Sequence, residues 1–414
     1  MQYILQAPQT IDTTVKLPPS KSISNRALII HALSGANRMP LNLSDCDDTS
    51  VILHTLANMP SHIDIKAAGT AMRFLTAYLA VTEGEHTITG TERMQQRPIG
   101  TLVDALRYMG ADITYLGNEG YPPLRIRGRH LEGGHIEVPG NISSQYISAL
   151  LMIGPALTNG LELKLIGDIA SKPYIDLTLC MMKEFGAEAE WNDIDSILVK
   201  PTPYKDIPYT IESDWSAASY WYEMMVLADK DARIRLQGLA DGSRQGDSVV
   251  RYLFSLLGIK TAFEPAKGEL PAHILLTRHE GAVQRLDYDF INSPDLAQTF
   301  VVCCALLEMP FHFTGLGSLR IKETDRIEAL CTELRKLGYV LQVRNGSELL
   351  WEGEHCTPTF EPINTYEDHR MAMAFAPAAF KFGNLAINNP QVVSKSYPNF
   401  WHDLAKAGFT LNEE

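Results

Sequence analysis

The sequence is short of positive charge: 36 Lys and Arg stand against 49 Asp and Glu, a formal net charge of -13. Such a field repels polyanions, which argues against a DNA-binding or membrane-surface protein but leaves room for a small anion in a locally basic pocket. Long apolar runs are also missing. The strongest, at 301–307 and 371–380, fall well below the ~18 residues that span a bilayer. Residues 1–10 carry no basic n-region and no apolar core, so no signal peptide is expected and the cytoplasm is the expected compartment. The six cysteines, Cys46, Cys180, Cys303, Cys304, Cys331 and Cys356, form no CxxC and no zinc-ligand spacing. They are expected to be reduced thiols, mostly filling the core. No GxxxxGK[ST], HExxH or GxSxG occurs, and Gly315-Leu316-Gly317 lacks the third glycine of a dinucleotide loop. A metal and a nicotinamide cofactor are therefore not expected.

What is present is internal repetition. Five segments share one pattern: a basic residue, about a dozen residues with helical spacing of apolar positions, then a glycine and a strand-like stretch. Arg97-Pro98 leads through Leu102, Leu106 and Met109 to Gly110, and Lys172-Pro173 through Leu177, Met181 and Phe185 to Gly186. Arg244 leads to Gly258, Lys322 to Gly338 and Lys395 to Gly408, so the glycines recur at spacings of 76, 72, 80 and 70 residues. Proline suits a first helical turn, and glycine suits the left-handed position just past a helix end. Asp47-Asp48-Thr49 opens a divergent sixth member. A second series interleaves with the first at 22–33, 70–80, 144–157, 216–227, 295–307 and 367–380; each segment is apolar on nearly every side, as in a buried helix. Six copies of about 69 residues span the 414, three to each half, with a crossing expected near 208–213.

Lys or Arg recurs at or just before the expected helix starts: Lys21, Arg26, Arg73, Arg97, Lys172, Arg244, Lys322, Arg326, Arg370 and Lys395. Helix N-termini offer unpaired N–H groups and a positive dipole end. Any one of these residues alone reads as a solvated surface charge. As a set in phase they point to a polyanionic small-molecule substrate.

The motifs resemble those of the 5-enolpyruvylshikimate-3-phosphate (EPSP) synthase family. The segment Pro18-Pro19-Ser20-Lys21-Ser22-Ile23-Ser24-Asn25-Arg26 resembles its N-terminal signature. Ala68-Gly69-Thr70-Ala71-Met72-Arg73, Arg97-Pro98-Ile99-Gly100, Ser143-Ser144-Gln145, Ser171-Lys172-Pro173-Tyr174, Lys322-Glu323-Thr324-Asp325-Arg326, Asp368-His369-Arg370-Met371 and Lys395-Ser396 follow in the family's order, across nearly the whole chain. The resemblance implies enolpyruvyl transfer from phosphoenolpyruvate to the 5-hydroxyl of shikimate 3-phosphate, with release of phosphate. It implies an α/β (α+β) fold of two similar domains, 13–211 and 1–12 with 212–414. Each would consist of three βαβαββ-type repeats with helix N-termini facing the interdomain cleft.

Carried over residue by residue, the resemblance places Lys21, Ser22, Arg26, Ser143, Ser144, Gln145, Ser171, Tyr174, Asp295, Ser318 and Lys322 on shikimate 3-phosphate. It places Lys21, Gly69, Arg97, Gln145, Arg326, Arg370 and Lys395 on phosphoenolpyruvate. Asp295 is the implied proton acceptor, with Glu323 and Lys21 the candidates for the acid and His369 orienting Glu323. Locally, Asp295 could instead cap the following helix, and Glu323 could be a first-turn acid favoured by the dipole. A monomer that binds only small anionic substrates, neither nucleic acid nor membrane, is expected. Gly69 implies inhibition by glyphosate in competition with phosphoenolpyruvate.

The chain departs from the family pattern at Ala67, where Asn is more usual, at Phe74, where many members carry Pro, at Ser318, where Asn is frequent, and at Trp215. Two rivals stand beside this reading. One is enolpyruvyl transfer to UDP-N-acetylglucosamine, whose family usually carries a reactive loop Cys; here no Cys lies between Cys46 and Cys180. The other is a non-catalytic anion-binding protein.

Overall fold

The computed structural model describes residues 1–268 and 271–414. The chain divides into two compact units, Pro19–Ile211 and Met1–Pro18 with Glu212–Glu414.

One sheet plan recurs in both units. In the unit Pro19–Ile211, strand His62–Asp64 runs parallel to Gly84–Thr89, which pairs antiparallel with Leu124–Gly128, and that strand with Asp112–Tyr115. Gly134–Pro139, Leu161–Ile166, Ser196–Val199 and Ala189–Trp191 repeat the plan in the same order. Their alternation is plain in Leu161–Ile166, where Leu161, Leu163 and Leu165 are buried and the residues between face outward. The unit's first repeat keeps its helices, Lys21–Ser34 and Asp47–Asn58, but only an isolated parallel bridge between Leu41 and Thr210 stands for its sheet.

In the other unit, Leu286–Asp289, Phe311–Thr314, Glu348–Trp351 and Gln342–Arg344 follow the plan. A second sheet begins with Asp12–Lys16, parallel to Arg233–Gln237. The expected division after residue 12 therefore falls at the start of a strand, and the units divide after Pro18 instead. The third sheet has Gln2–Gln6 at its centre, antiparallel to Leu385–Asn388 and Thr410–Glu413, with Ile363 bridging Ile387 in parallel. The start of the chain thus fills the third place in the sheet plan of its last repeat.

The helices fall into the two expected series. The five glycines each lie one residue past the C-cap of a helix, with φ of 100° at Gly110, 84° at Gly186, 87° at Gly258, 99° at Gly338 and 100° at Gly408. The chain turns there through bonds such as Ala111 N–H to Leu106 C=O, 3.0 Å, and Tyr339 N–H to Leu334 C=O, 3.0 Å. The divergent sixth helix ends instead on Met59, left-handed at φ 42°. The other series is the core itself. Residues 70–80 and 216–226 are buried without a break, so each helix is apolar all round and packed on all sides. Three members are interrupted. Pro155 and Pro377 sit in 3-10 turns following Ser144–Ile153 and His369–Phe375, and Pro294 opens a 3-10 turn before Ala297–Leu306. Proline's missing N–H accounts for the breaks at Pro155 and Pro377, while Pro294 stands at a start, where no intrahelical bond is lost.

Candidate active site

In the unit Pro19–Ile211, the candidate residues collect at the starts of buried helices. Ser20 caps Lys21–Ser34 by accepting from Ile23 N–H, and Lys21 Nζ lies 4.0 Å from Asp48. One turn on, Arg26 is buried; its Nη1 donates to Ser22 C=O at 2.9 Å and its Nη2 to Tyr174 C=O at 3.4 Å. Burial pulls the Arg26 guanidinium down to about 10, and only the neighbouring Tyr174 opposes this. At the start of Gly69–Val81, Arg73 donates to Gly69 C=O at 2.8 Å. A Cβ on Gly69 would lie 2.7 Å from Nη1 of both Arg73 and Arg97, so the side-chain-free position keeps two buried guanidinium groups beside the backbone. Gln145 donates to Thr70 at 3.2 Å, next to Gly69. Ser143 caps its helix by accepting from Gln145 N–H, Ser144 is buried, and Ser171 is held left-handed at φ 55° ahead of Lys172.

The other unit holds an ion-pair network. Asp295 faces Arg370 Nη2 at 2.9 Å, Arg326 Nη1 at 3.2 Å and Lys322 Nζ at 3.9 Å. Arg326 also donates to Glu323 at 2.9 Å and, through Nε, to the fully buried Asp368 at 2.7 Å. Asp368 caps His369–Phe375 by accepting from Arg370 N–H, 2.9 Å, and so fixes both arginines. His369 is buried with Nδ1 3.9 Å from Asp368, and Lys395 donates to Glu367 C=O at 2.6 Å. Burial pushes the Asp295 carboxyl up, but Arg370, Lys322 and Arg326 outweigh it and hold the group well below the usual carboxylate range.

Two local alternatives fail here. The helix Ala297–Leu306 has no side-chain cap, so Asp295 is not its cap; it lies in the turn before and turns to the arginines. Glu323 precedes the helix Arg326–Lys336, which Asp325 caps through Ile327 and Glu328 N–H. Ser318 lies in the turn Gly317–Ile321, and among the described residues no hydrogen bond joins it to the network. Asp368 was legible only as part of a motif; its role as a shared anchor for Arg326 and Arg370 needed the fold. Likewise Ser148 and Thr178, which bond Arg26, carry no signal in sequence beyond lying in apolar helices. Among the described residues no group of three or more His, Cys, Asp or Glu could hold a metal ion, and no helix is long and apolar enough to cross a membrane.

Comparison with known proteins bears on the family and the fold. The family model described as EPSP synthase (3-phosphoshikimate 1-carboxyvinyltransferase) matches residues 5–64 and 55–404. A 3-phosphoshikimate 1-carboxyvinyltransferase of Bacteroides fragilis is 60% identical over 412 residues, 99% of each chain. One from Photobacterium profundum is 36% identical, over 97% of this chain and 98% of its own. Among solved structures, an EPSP synthase from Acinetobacter baumannii superposes with a TM-score of 0.78 at 20% identity, covering 100% of both chains. The enolpyruvyl transferase NikO from Streptomyces tendae gives 0.72 at 16% identity, over 99% of this chain and 98% of its own. At those identities the two structures speak for the fold alone.

Proposed function

The chain belongs to the EPSP synthase family, and from that premise we propose how its residues carry the reaction. The enzyme transfers the enolpyruvyl group of phosphoenolpyruvate to the 5-hydroxyl of shikimate 3-phosphate and releases phosphate. Both substrates combine a phosphate with a carboxylate, which suits buried arginines and helix starts. Arg97, Arg326, Arg370 and Lys395 clamp phosphoenolpyruvate, with Gly69 letting the backbone approach and Lys21 and Gln145 reaching both substrates. Ser22, Arg26, Ser143, Ser144, Ser171, Tyr174, Ser318 and Lys322 hold shikimate 3-phosphate.

In the addition, the 5-oxygen bonds to C2 of phosphoenolpyruvate while Asp295 takes the hydroxyl proton. A proton from Glu323 or Lys21 goes to the methylene carbon, leaving a tetrahedral ketal. In the elimination, the C2–O bond to phosphate breaks and the new methyl group gives a proton back.

The observation that carries this reading is Asp295 held by three cations, Arg370, Arg326 and Lys322. So held, the carboxylate is a poor base. Two of these cations, Arg326 and Arg370, are the proposed phosphoenolpyruvate clamp. An arriving anion shares their charge and adds its own, which raises the proton affinity of Asp295 only when the co-substrate is present. Pure anion binding would need no such carboxylate. A cytoplasmic site of action accords with all six cysteines being free thiols.

Phosphate release is the direct test. Purified protein with phosphoenolpyruvate and shikimate 3-phosphate is expected to release phosphate, and with UDP-N-acetylglucosamine in place of the acceptor it is not. Release with the nucleotide sugar alone would overturn the acceptor; binding without release from either would favour a non-catalytic protein.

A further inference from the structure

Arg26, in the second turn of its helix, and Arg326, in the first turn of its own, are both buried arginines, yet they are held in opposite ways. Arg326 is answered by carboxylates, Asp368, Glu323 and Asp295. Arg26 is answered only by neutral groups. Its Nε donates to Thr178 Oγ1 at 2.7 Å and its Nη2 to Ser148 Oγ at 3.0 Å, besides the carbonyls of Ser22 and Tyr174. Phe74, fully buried, lies with its ring 5.4 Å from the guanidinium carbon.

The two hydroxyls form a chain with one direction. They lie 2.8 Å apart, and Thr178 Oγ1 is 2.8 Å from Tyr174 C=O, which can only accept. Thr178 therefore donates to that carbonyl and Ser148 donates to Thr178, leaving both oxygens to accept from Arg26. Thr178, Ser148 and Phe74 are all fully buried. One Nη1 hydrogen of Arg26 has no partner among the described residues, and no carboxylate lies among its contacts. The guanidinium is thus rigidly aimed with its charge unspent, a state a carboxylate partner would cancel.

We propose that Thr178 and Ser148, backed by the Phe74 ring, are positioning residues that hold Arg26 by neutral hydroxyls so that its full charge is kept for the anionic acceptor substrate. The inference rests on the reading that Arg26 binds shikimate 3-phosphate, and the experiment separates the two. Steady-state kinetics would be measured for R26A, T178V, S148A, T178S and the double variant R26A/T178V.

If the proposal holds, T178V raises the KM for shikimate 3-phosphate by roughly tenfold, the scale of a lost hydrogen bond to a charged group. The KM for phosphoenolpyruvate and kcat stay unchanged, S148A moves the same constant in the same direction, and T178S restores it. In R26A, adding T178V changes nothing further, because Thr178 acts only through the missing guanidinium. A raised acceptor KM in R26A with unchanged values in T178V and S148A would overturn the positioning role. So would equal losses for both substrates, or a further loss in the double variant, either of which marks a merely structural role. An unchanged acceptor KM in R26A would overturn the underlying reading of Arg26. If T178V does not fold, S148A and T178S alone decide.

Discussion

Asp295 carries the most chemistry for a single side chain. Its three cationic neighbours keep it ionised far into the acid range, so its titration is absent from the pH profile of the free enzyme above about pH 4. Replacing it by Ala removes the acceptor for the 5-hydroxyl proton. D295A is expected to lose roughly 10²–10⁴-fold in kcat while calorimetry still detects shikimate 3-phosphate binding; turnover near wild type would remove Asp295 from the reaction. Gly69 offers the second residue-scale test. In G69A the new methyl must displace both Arg73 and Arg97, which are buried with Nη1 only 2.7 Å away. The expected result is a raised KM for phosphoenolpyruvate and weaker competitive inhibition by glyphosate, with the shikimate 3-phosphate KM unchanged. Equal shifts for both substrates would place the effect outside the arginine pair. Gly69, Arg97 and Asp295 were legible as motif members; that the two arginines crowd Gly69 was not, because Arg73 and Arg97 lie on separate segments that only folding brings together.

At the scale of the element, local chemistry was the better guide to helix ends than to helix interiors. Gly110 and its four counterparts were readable because a left-handed residue past a helix end needs no tertiary context to favour glycine. The divergent helix defeats that rule, since Met59 takes the same left-handed conformation with a side chain. Interiors depend on neighbours from afar. Glu223 lies within Trp215–Leu227, a helix buried on all sides, with both carboxyl oxygens buried and without a hydrogen-bond partner among the described residues. Across the core, Glu223 acts on the thiols of Cys303 and Cys304, which burial chiefly and this carboxyl besides push up. Burial pushes the Glu223 carboxyl well above its ordinary value, so the folded protein holds it protonated. The unfolded chain releases that proton above about pH 4.3, so the native state loses up to about 1.4 kcal/mol per pH unit from there up to the folded-state value. E223Q is therefore expected to raise the denaturation midpoint near pH 8 and to converge on wild type near pH 4. A gain that does not change with pH would refute the buried acid.

For the molecule as a whole, the acidic sequence and the anionic substrates are reconciled by where the charges lie: the carboxylate excess is spread over 414 residues, while the candidate arginines are buried at helix starts. Chain continuity matters at this scale too. Gln2–Gln6 is the central strand of its sheet, with Leu5 fully buried, between segments almost four hundred residues away. Deleting residues 1–6 removes two ladders at once, and the truncated chain is expected to be insoluble or to melt well below wild type; unchanged thermal unfolding would contradict the pairing. The sequence alone determined the six-fold repeat, the five glycine ends, the basic helix starts and the family, because each is written in local spacing and residue type. Tertiary structure alone decided what each charge meets. Arg26 and Arg326 look alike in sequence, but Thr178 and Ser148 come to the first from 152 and 122 residues away, and Asp368 and Asp295 to the second from 42 and 31. Whether a buried arginine is neutralised or kept available depends on those distant partners, which local spacing does not encode.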